Sequence, residues 1–188
     1  MVRIQLPERI ETQRLTLERL RYEDAEEIFY SYASKPETTK YLAFPTHQSV
    51  TDARNFVRYA KTAWDKGTEC VFGIRLKDSY RFIGSIGAVN ENGKVNFGYA
   101  ISPTQWGSGY TTEACRALLQ LLREQKDIHR IWTFVDAENR ASSKVLLKCG
   151  LVEEARLKNW FRFINQDNKP KDCILYLLPM YHSGVTSC

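Results

Sequence analysis

The sequence lacks the features that define several common classes of protein. It has no pair of cysteines at C-x-x-C spacing, and its three histidines (His47, His129 and His182) stand far apart, so we expect no metal site. Its five cysteines are odd in number and widely spaced, which favours reduced thiols and a cytoplasmic location over a disulfide framework. It has neither a signal-like N-terminus nor an apolar run that could span a bilayer, so we expect no membrane partner.

Charge is also not concentrated anywhere along the chain. The 27 basic and 22 acidic residues give a formal net charge of +5, spread over the 188 residues. Nucleic-acid binding would require a basic stripe, so we expect no nucleic-acid partner. Length and composition are those of one globular domain over residues 1–188, with its core at about 11–180. Nothing in the composition decides between a monomer and a homodimer.

One stretch, from Val95 to Ala114, combines a strand, a loop with two glycines and a helix. The strand is mixed aromatic and β-branched and ends at Pro103. Gly107 and Gly109 allow backbone conformations that other residues rarely adopt. A loop of this kind, opening into a helix N-terminus, presents free N–H groups to an anion. It matches neither the G-x-G-x-x-G dinucleotide fingerprint nor the P-loop.

Hydrophobic periodicity predicts strands and helices of one mixed α+β domain along the rest of the chain. The predicted strands are 14–20, 70–76, 81–89, 94–101, 130–135, 157–163 and 172–178. Turn residues after 76 and after 89 make the second to fourth strands an antiparallel meander. Helices are predicted after Asp24, from Ser49 to Gly67, after Gly109, and from Asn139 to Cys149.

Three blocks of the sequence together resemble the GNAT superfamily of acetyl-CoA-dependent N-acetyltransferases, and within it the branch of ribosomal-protein N-terminal acetyltransferases (RimJ/RimL-like). The first is Glu11-Thr12-Gln13-Arg14-Leu15-Thr16-Leu17, with Asp24-Ala25 and Pro36-Glu37 following. The second runs from Gly98-Tyr99 to Thr112-Glu113-Ala114, and the third joins Asn139-Arg140-Ala141-Ser142 to Lys148-Cys149-Gly150-Leu151. The resemblance covers the chain from Glu11 to Leu178, and the second block is the most specific.

The resemblance implies a GNAT-like α+β fold, with a twisted, mostly antiparallel mixed sheet whose two central strands splay apart between flanking helices. Acetyl-CoA, as co-substrate, would lie in that gap with its pyrophosphate on the glycine loop. The implied cofactor-binding residues are Tyr99, Ala100, Ile101, Gln105, Trp106, Gly107, Ser108, Gly109, Tyr110, Thr111, Asn139 and Ser142. A backbone N–H near Ala100 or Ile101 would stabilise the oxyanion of the reaction.

Two residues are candidates for the catalytic roles. Ser142 matches the serine of the branch, and we expect it to protonate the leaving thiolate. An acid downstream of the third block serves as base in related enzymes, which makes Glu154 the candidate here. The position that aligns best, near Trp160-Phe161, carries no acid. Ser142 could also be only a first-turn serine, and Asn139 only a helix cap.

The expected activity is acetyl transfer from acetyl-CoA to a primary amine, preferably a protein N-terminal α-amine. An α-amine has a pKa near ~8 and needs little help from a base, whereas a lysine amine, near ~10.4, needs much more. Two alternatives stay open: acetylation of a small amine such as a polyamine or aminoglycoside, and a non-catalytic acetyl-CoA-binding module. Acceptor-facing loops are expected at Ser34 to Phe44 and at Ile164 to Lys169.

Overall fold

An eight-stranded sheet forms the centre of the protein, in a computed structural model that describes residues 2–180. Met1 and residues 181–188, which include His182 and Cys188, lie outside the described residues. The strand order is β1-β2-β3-β4-β5-β6-β8-β7, and β5–β6 is the parallel pair among otherwise antiparallel neighbours. The strands are β1 Arg9–Glu11, β2 Leu15–Arg19, β3 Glu69–Leu76, β4 Phe82–Glu91, β5 Lys94–Ile101, β6 Arg130–Asp136, β7 Val152–Arg162 and β8 Pro170–Leu178.

Within the described residues, five α-helices cover the two faces of this sheet. They are α1 Asp24–Ile28, α2 Pro36–Thr39, α3 Val50–Lys66, α4 Tyr110–Arg123 and α5 Arg140–Lys148. Helix α1 continues into a π-helical turn over Phe29–Ala33, and proline at the first position of α2 starts a new direction. Ser49 and Asp52 form a capping box before α3, and Gly67 ends that helix with φ +67°.

Two hydrophobic clusters show which helices lie on which face. Alternate residues of a strand point to opposite faces. On β5, Phe97 and Ile101 belong to the cluster that includes Leu118 of α4 and Leu146 of α5. Ala100 belongs instead to the cluster made with α1, the π-helical turn and α3. Helices α1 to α3 therefore cover one face and α4 and α5 the other.

The predicted α+β fold is confirmed, and the differences from the predicted elements are small. The meander β3-β4-β5 is present as expected, and β5 has the predicted bounds. Strand β7 begins at Val152, five residues before its predicted start, because it is an edge strand whose exposed residues show no clear alternation. Strand β1, of three residues, was not predicted. No helix within residues 2–180 is long and apolar enough to cross a membrane.

Candidate active site at the splayed strands

A gap opens in the middle of the sheet, between β5 and β6. The two strands pair only at their beginnings, through Lys94 with Arg130, Val95 with Ile131, and Asn96 with Trp132. Beyond that point each strand keeps its other neighbour, since β4 pairs with β5 as far as Ile101 and β8 pairs with β6 as far as Asp136. The second half of β5 therefore presents one free backbone edge, and the predicted splay of the central strands is confirmed.

The hydrogen bond of Ser102, the residue after β5, shows which N–H and C=O groups of β5 point towards β4 and which point towards the gap. Ser102 donates its N–H to the carbonyl of Ile83 at 2.7 Å, so it faces β4. In an antiparallel ladder alternate residues face opposite neighbours, so Ala100 also faces β4 whereas Tyr99 and Ile101 face the gap. The carbonyl of Ile101 is already occupied by the indole N–H of Trp106 at 3.0 Å. Of the two N–H groups expected to hold an oxyanion, that of Ile101 therefore lies on the gap side.

The glycine loop lies directly after this edge and leads into α4. Pro103–Gln105 form a single 3₁₀ turn, and Gly107 and Gly109 both adopt φ +79°, a conformation that costs other residues free energy. Trp106, Gly107, Ser108 and Gly109 are exposed. Among the described residues, no acceptor is present for the backbone N–H groups from Gly107 to Thr112. The loop and the first turn of α4 thus form a cluster of free donors with the positive end of a helix dipole behind them.

Residues from the first sequence block hold this loop in place. The carboxylate of Glu113, in the first turn of α4, accepts hydrogen bonds from the Thr12 hydroxyl at 2.6 Å and from the Arg14 backbone N–H at 2.7 Å. The Arg14 guanidinium binds the same carboxylate at 2.7 Å and donates to the carbonyl of Ser108 at 3.0 Å. It also lies over the ring of Tyr110, 4.5 Å from its centroid. The first and second sequence blocks therefore meet in one hydrogen-bonded cluster.

This cluster also settles the charge of Glu113. Burial alone would raise its pKa, but the hydrogen bonds from Thr12 and Arg14 outweigh burial and lower the pKa below its usual value. An ionised carboxylate next to an anion site would repel the anion, and the Arg14 guanidinium offsets that charge. Sequence reasoning missed both roles, although the joint presence of the two blocks was the signal that could have shown them.

Tyr99 and Ser142 meet across the other side of the gap. The two hydroxyl oxygens are 2.7 Å apart, which joins β5 to the first turn of α5. The side chain of Asn139 caps that helix by accepting the backbone N–H of Ser142 at 3.1 Å. Burial raises the pKa of Tyr99 well above its usual value, so its hydroxyl keeps its proton at neutral pH.

Glu154 lies apart from the other predicted site residues. It is on the edge strand β7, two strands away from β6, and is exposed. Its carboxylate forms an ion pair with the guanidinium of Arg130, at the paired beginning of β6. The structure therefore does not bring Glu154 together with Tyr99 and Ser142. The buried carboxylate nearer the open end of the gap is Asp136, the last residue of β6, whose two oxygens accept the backbone N–H of Glu138 and the side-chain amide of Gln166 at 2.8 and 2.9 Å.

The remaining predicted cofactor residues lie around the loop. Gln105 ends the 3₁₀ turn, Ser108 holds Arg14 through its carbonyl, and Thr111 stands in the first turn of α4. Within residues 2–180 no group of three or more His, Cys, Asp or Glu side chains is arranged to hold a metal ion.

A family model and two relatives from Bacillus match most of this chain. A family model described as an acetyltransferase (GNAT) domain matches residues 14–152. An uncharacterised N-acetyltransferase, p20 of Bacillus licheniformis, is 30% identical and covers 81% of this chain and 87% of its own length. The uncharacterised N-acetyltransferase YoaA of Bacillus subtilis is 27% identical and covers 89% of this chain and 94% of its own.

Solved structures with similar folds include two whose ligands or substrates are stated. One is RimL, a ribosomal L7/L12 α-N-protein acetyltransferase in complex with coenzyme A, with a TM-score of 0.78 and 17% identity over 90% of this chain and 97% of that chain. The other is the ribosomal-protein-S5-alanine acetyltransferase of Vibrio fischeri, with a TM-score of 0.78 and 17% identity over 90% and 94% of the two chains. At these identities the similarity concerns the fold.

Proposed function

Because this chain belongs to the GNAT acetyltransferase family, we propose that it transfers the acetyl group of acetyl-CoA to the α-amine of a protein N-terminus. The family membership makes it an acetyl-transferring enzyme. The observation that supports the proposed site best is the combination of a free strand edge on β5 with the donor-rich loop that follows it. These two features lie one after the other in the chain, as an elongated ligand with a phosphate end would require.

The residues present fit acetyl-CoA at both ends. The free N–H groups from Gly107 to Thr112 suit the pyrophosphate, and Arg14 neutralises the carboxylate of Glu113 next to them. The backbone of Tyr99 and the N–H of Ile101 face the gap, where an amide-containing chain can pair with them as an added strand. In this proposal Asn139 caps α5 and so holds Ser142 at the far side of the gap.

The chemistry requires three things of these residues. The neutral amine attacks the thioester carbonyl, and the N–H of Ile101 stabilises the oxyanion that forms. The C–S bond then breaks, and the leaving thiolate takes the proton of the Ser142 hydroxyl. Tyr99, which keeps its own proton at neutral pH, donates a hydrogen bond to the Ser142 oxygen and stabilises it after that transfer. The amine nitrogen releases its proton as the new amide forms, and water carries this proton to Ser142 and restores its hydroxyl.

The nature of the acceptor is inferred from the surroundings of the two carboxylates considered as bases. Glu154 is held by Arg130 on the edge strand, and Asp136 accepts hydrogen bonds from Glu138 and Gln166. At pH 7 roughly a tenth of an N-terminal amine is neutral, against about one in a few thousand for a lysine side chain. Since each of these two carboxylates already has partners among the described residues, the site suits the α-amine, which needs less help from a base. The structurally similar RimL is an α-N-protein acetyltransferase of ribosomal L7/L12, and the similar Vibrio fischeri protein is a ribosomal-protein-S5-alanine acetyltransferase, which supports a protein acceptor.

Release of the CoA thiol tests this proposal. The acceptors are short peptides with a free N-terminal serine or alanine, the same peptides with a blocked N-terminus and an internal lysine, and spermidine. We expect turnover on the free α-amine and a rate at least about a hundredfold lower on the blocked peptides, as the neutral fractions imply. Turnover confined to spermidine or lysine would refute the acceptor class. Binding of acetyl-CoA without turnover on any amine would refute catalysis.

A further inference from the structure

Two loops meet beside the open end of the gap, and they overlap the segments 34–44 and 164–169 that were predicted to face the acceptor. The first follows α2 and spans 40–47, and the second connects β7 to β8 over 163–169. They are more than 100 residues apart in sequence, yet one side chain of the second loop forms three hydrogen bonds with the first loop and a fourth with the end of α2. That side chain is the amide of Asn165.

Every hydrogen-bonding group of this amide is used. Its oxygen accepts the backbone N–H of Thr46 at 3.0 Å and the Thr46 hydroxyl at 3.3 Å. Its NH₂ group donates to the carbonyl of Thr39 at 2.7 Å and to that of Phe44 at 2.8 Å. An amide can make two donor and two acceptor bonds, so Asn165 is fully satisfied by the first loop and the last residue of α2. No other neutral side chain of this size offers both donors and an acceptor in that arrangement.

The neighbouring residue attaches the same loop to the splayed strand. Gln166 donates its side-chain amide to the buried carboxylate of Asp136 at 2.9 Å, at the end of β6. The first loop, the second loop and the end of β6 thus form one connected unit. A change in the position of Asn165 would therefore move the border of the gap and not only a surface loop.

The space bordered by these loops lies over the face of the sheet opposite α5. Asn96 and Trp132 are register partners, so Gly98 and Phe134, two residues further along each strand, lie on the same face as they do. A Cβ atom at Gly98 would meet nothing within 4 Å, so the space above β5 is open at that point. Aromatic rings border it, with Phe134 and Phe161 at a centroid distance of 5.1 Å.

We propose that Asn165 is a positioning residue that fixes the two loops bordering the acceptor cleft and so sets the affinity for the acceptor. This inference rests on the proposed function, because it assigns the open space over Gly98 to the amine-bearing substrate. It assigns no contact between Asn165 and the reacting atoms. Loss of the amide should therefore lower the affinity for the acceptor and leave the affinity for acetyl-CoA unchanged. The proposed function places acetyl-CoA elsewhere, on the glycine loop and the edge of β5.

The test uses two substitutions and one control. Asn165→Asp keeps the shape of the side chain but turns a carboxylate oxygen towards the carbonyls of Thr39 and Phe44. Asn165→Ala removes all four hydrogen bonds without adding charge. Asn55→Asp adds the same charge on an exposed position of α3 and is the control. We expect both Asn165 variants to raise the KM for a serine-initiated peptide on the order of tenfold, with the KM for acetyl-CoA within about twofold of wild type.

Hydrogen exchange gives a second readout that does not depend on turnover. In both Asn165 variants we expect faster exchange in 40–47 and in 163–169 together, and unchanged exchange in 105–112. An unchanged acceptor KM in an active enzyme would overturn the inference, as would an effect of Asp without an effect of Ala, which would show a charge effect only. Equal loss of affinity for acetyl-CoA would show a general loss of structure and would overturn it too. A wild-type protein that acetylates no amine would refute the proposed function itself, and the acceptor role of Asn165 with it.

Discussion

Replacement of Gly107 by alanine offers the clearest test of where the pyrophosphate binds. Gly107 adopts φ +79°, and a Cβ atom there would meet nothing within 4 Å. The substitution therefore introduces no collision, and its only direct cost is the left-handed conformation, roughly 1–2 kcal/mol for an L-residue with a side chain. In the free variant, an exposed loop can relax to a conformation in which residue 107 no longer has a positive φ. Binding of the pyrophosphate requires the positive φ again, so the conformational cost appears as a loss of acetyl-CoA affinity.

The expected result follows from this free energy. A cost of roughly 1–2 kcal/mol corresponds to an acetyl-CoA affinity lower by about 5- to 30-fold, measured as Kd by titration calorimetry. Acetyl-pantetheine carries the thioester but no pyrophosphate, so its kcat/KM should not change. Gly107→Asn should lose less affinity, because asparagine tolerates the left-handed region better than alanine.

Gly150 provides the matched control. It has φ +85°, a Cβ atom there would also meet nothing within 4 Å, and it follows the end of α5, outside the loop. Gly150→Ala should therefore carry a similar conformational cost with no effect on acetyl-CoA binding. The reasoning would be refuted by an acetyl-CoA affinity that is the same in both variants, or by an equal loss of activity with acetyl-pantetheine.

Three further tests, which use five substitutions, concern other parts of the structure. Ser142→Ala should lower kcat on the order of tenfold to a hundredfold with little change in the KM for acetyl-CoA. Adding Tyr99→Phe to this variant should lower kcat little further, because the two hydroxyls act as a pair; additive losses in kcat would show that they act separately. Arg14→Gln should raise the KM for acetyl-CoA because it leaves the negative charge of Glu113 without its partner. Adding Glu113→Gln to this variant should lower that KM again in part; an unchanged KM would show that Arg14 does more than neutralise Glu113. Arg75→Ala should cost about 3–5 kcal/mol of unfolding free energy in urea, because Arg75 is buried against Asp24 at 2.8 Å; a cost under about 1 kcal/mol would contradict a buried ion pair.

The backbone conformation of the glycine loop, of the end of β5 and of the start of α5 was largely predictable from the sequence, because certain conformations favour certain residues. A positive φ favours glycine, a strand end tolerates proline, and an N-cap favours asparagine, so Gly107, Pro103 and Asn139 each carry a readable signal. The predicted bounds of β5 agree with the structure for the same reason, since Pro103 follows soon after its last residue.

Side-chain partners over long sequence distances were not predictable in this way. Nothing local to Glu113 indicates that it binds Thr12 and Arg14, 101 and 99 residues away. The same limit explains why the sequence did not show that Glu154 lies apart from Tyr99 and Ser142. Its position after the third block made it the candidate base. Its ion pair with Arg130 depends on the neighbouring positions of β6, β8 and β7 in the sheet, which one sequence does not reveal.

The proposed acetyl-CoA site is built from backbone groups, whereas the proposed acceptor cleft depends on side chains. This difference explains why the acceptor is harder to predict from the sequence than the co-substrate. The proposed acetyl-CoA site uses backbone N–H groups on β5 and at the start of α4, which any sequence compatible with the fold presents. The proposed acceptor cleft is bordered by two loops, and the side-chain amide of Asn165 in one of them forms hydrogen bonds with Thr46 and Phe44 of the other. A change at that position could alter acceptor choice while leaving the strand, the glycines and the helix intact. Among proteins that share this fold, differences in acceptor should therefore follow the residues that join these two loops more closely than the residues of the glycine loop.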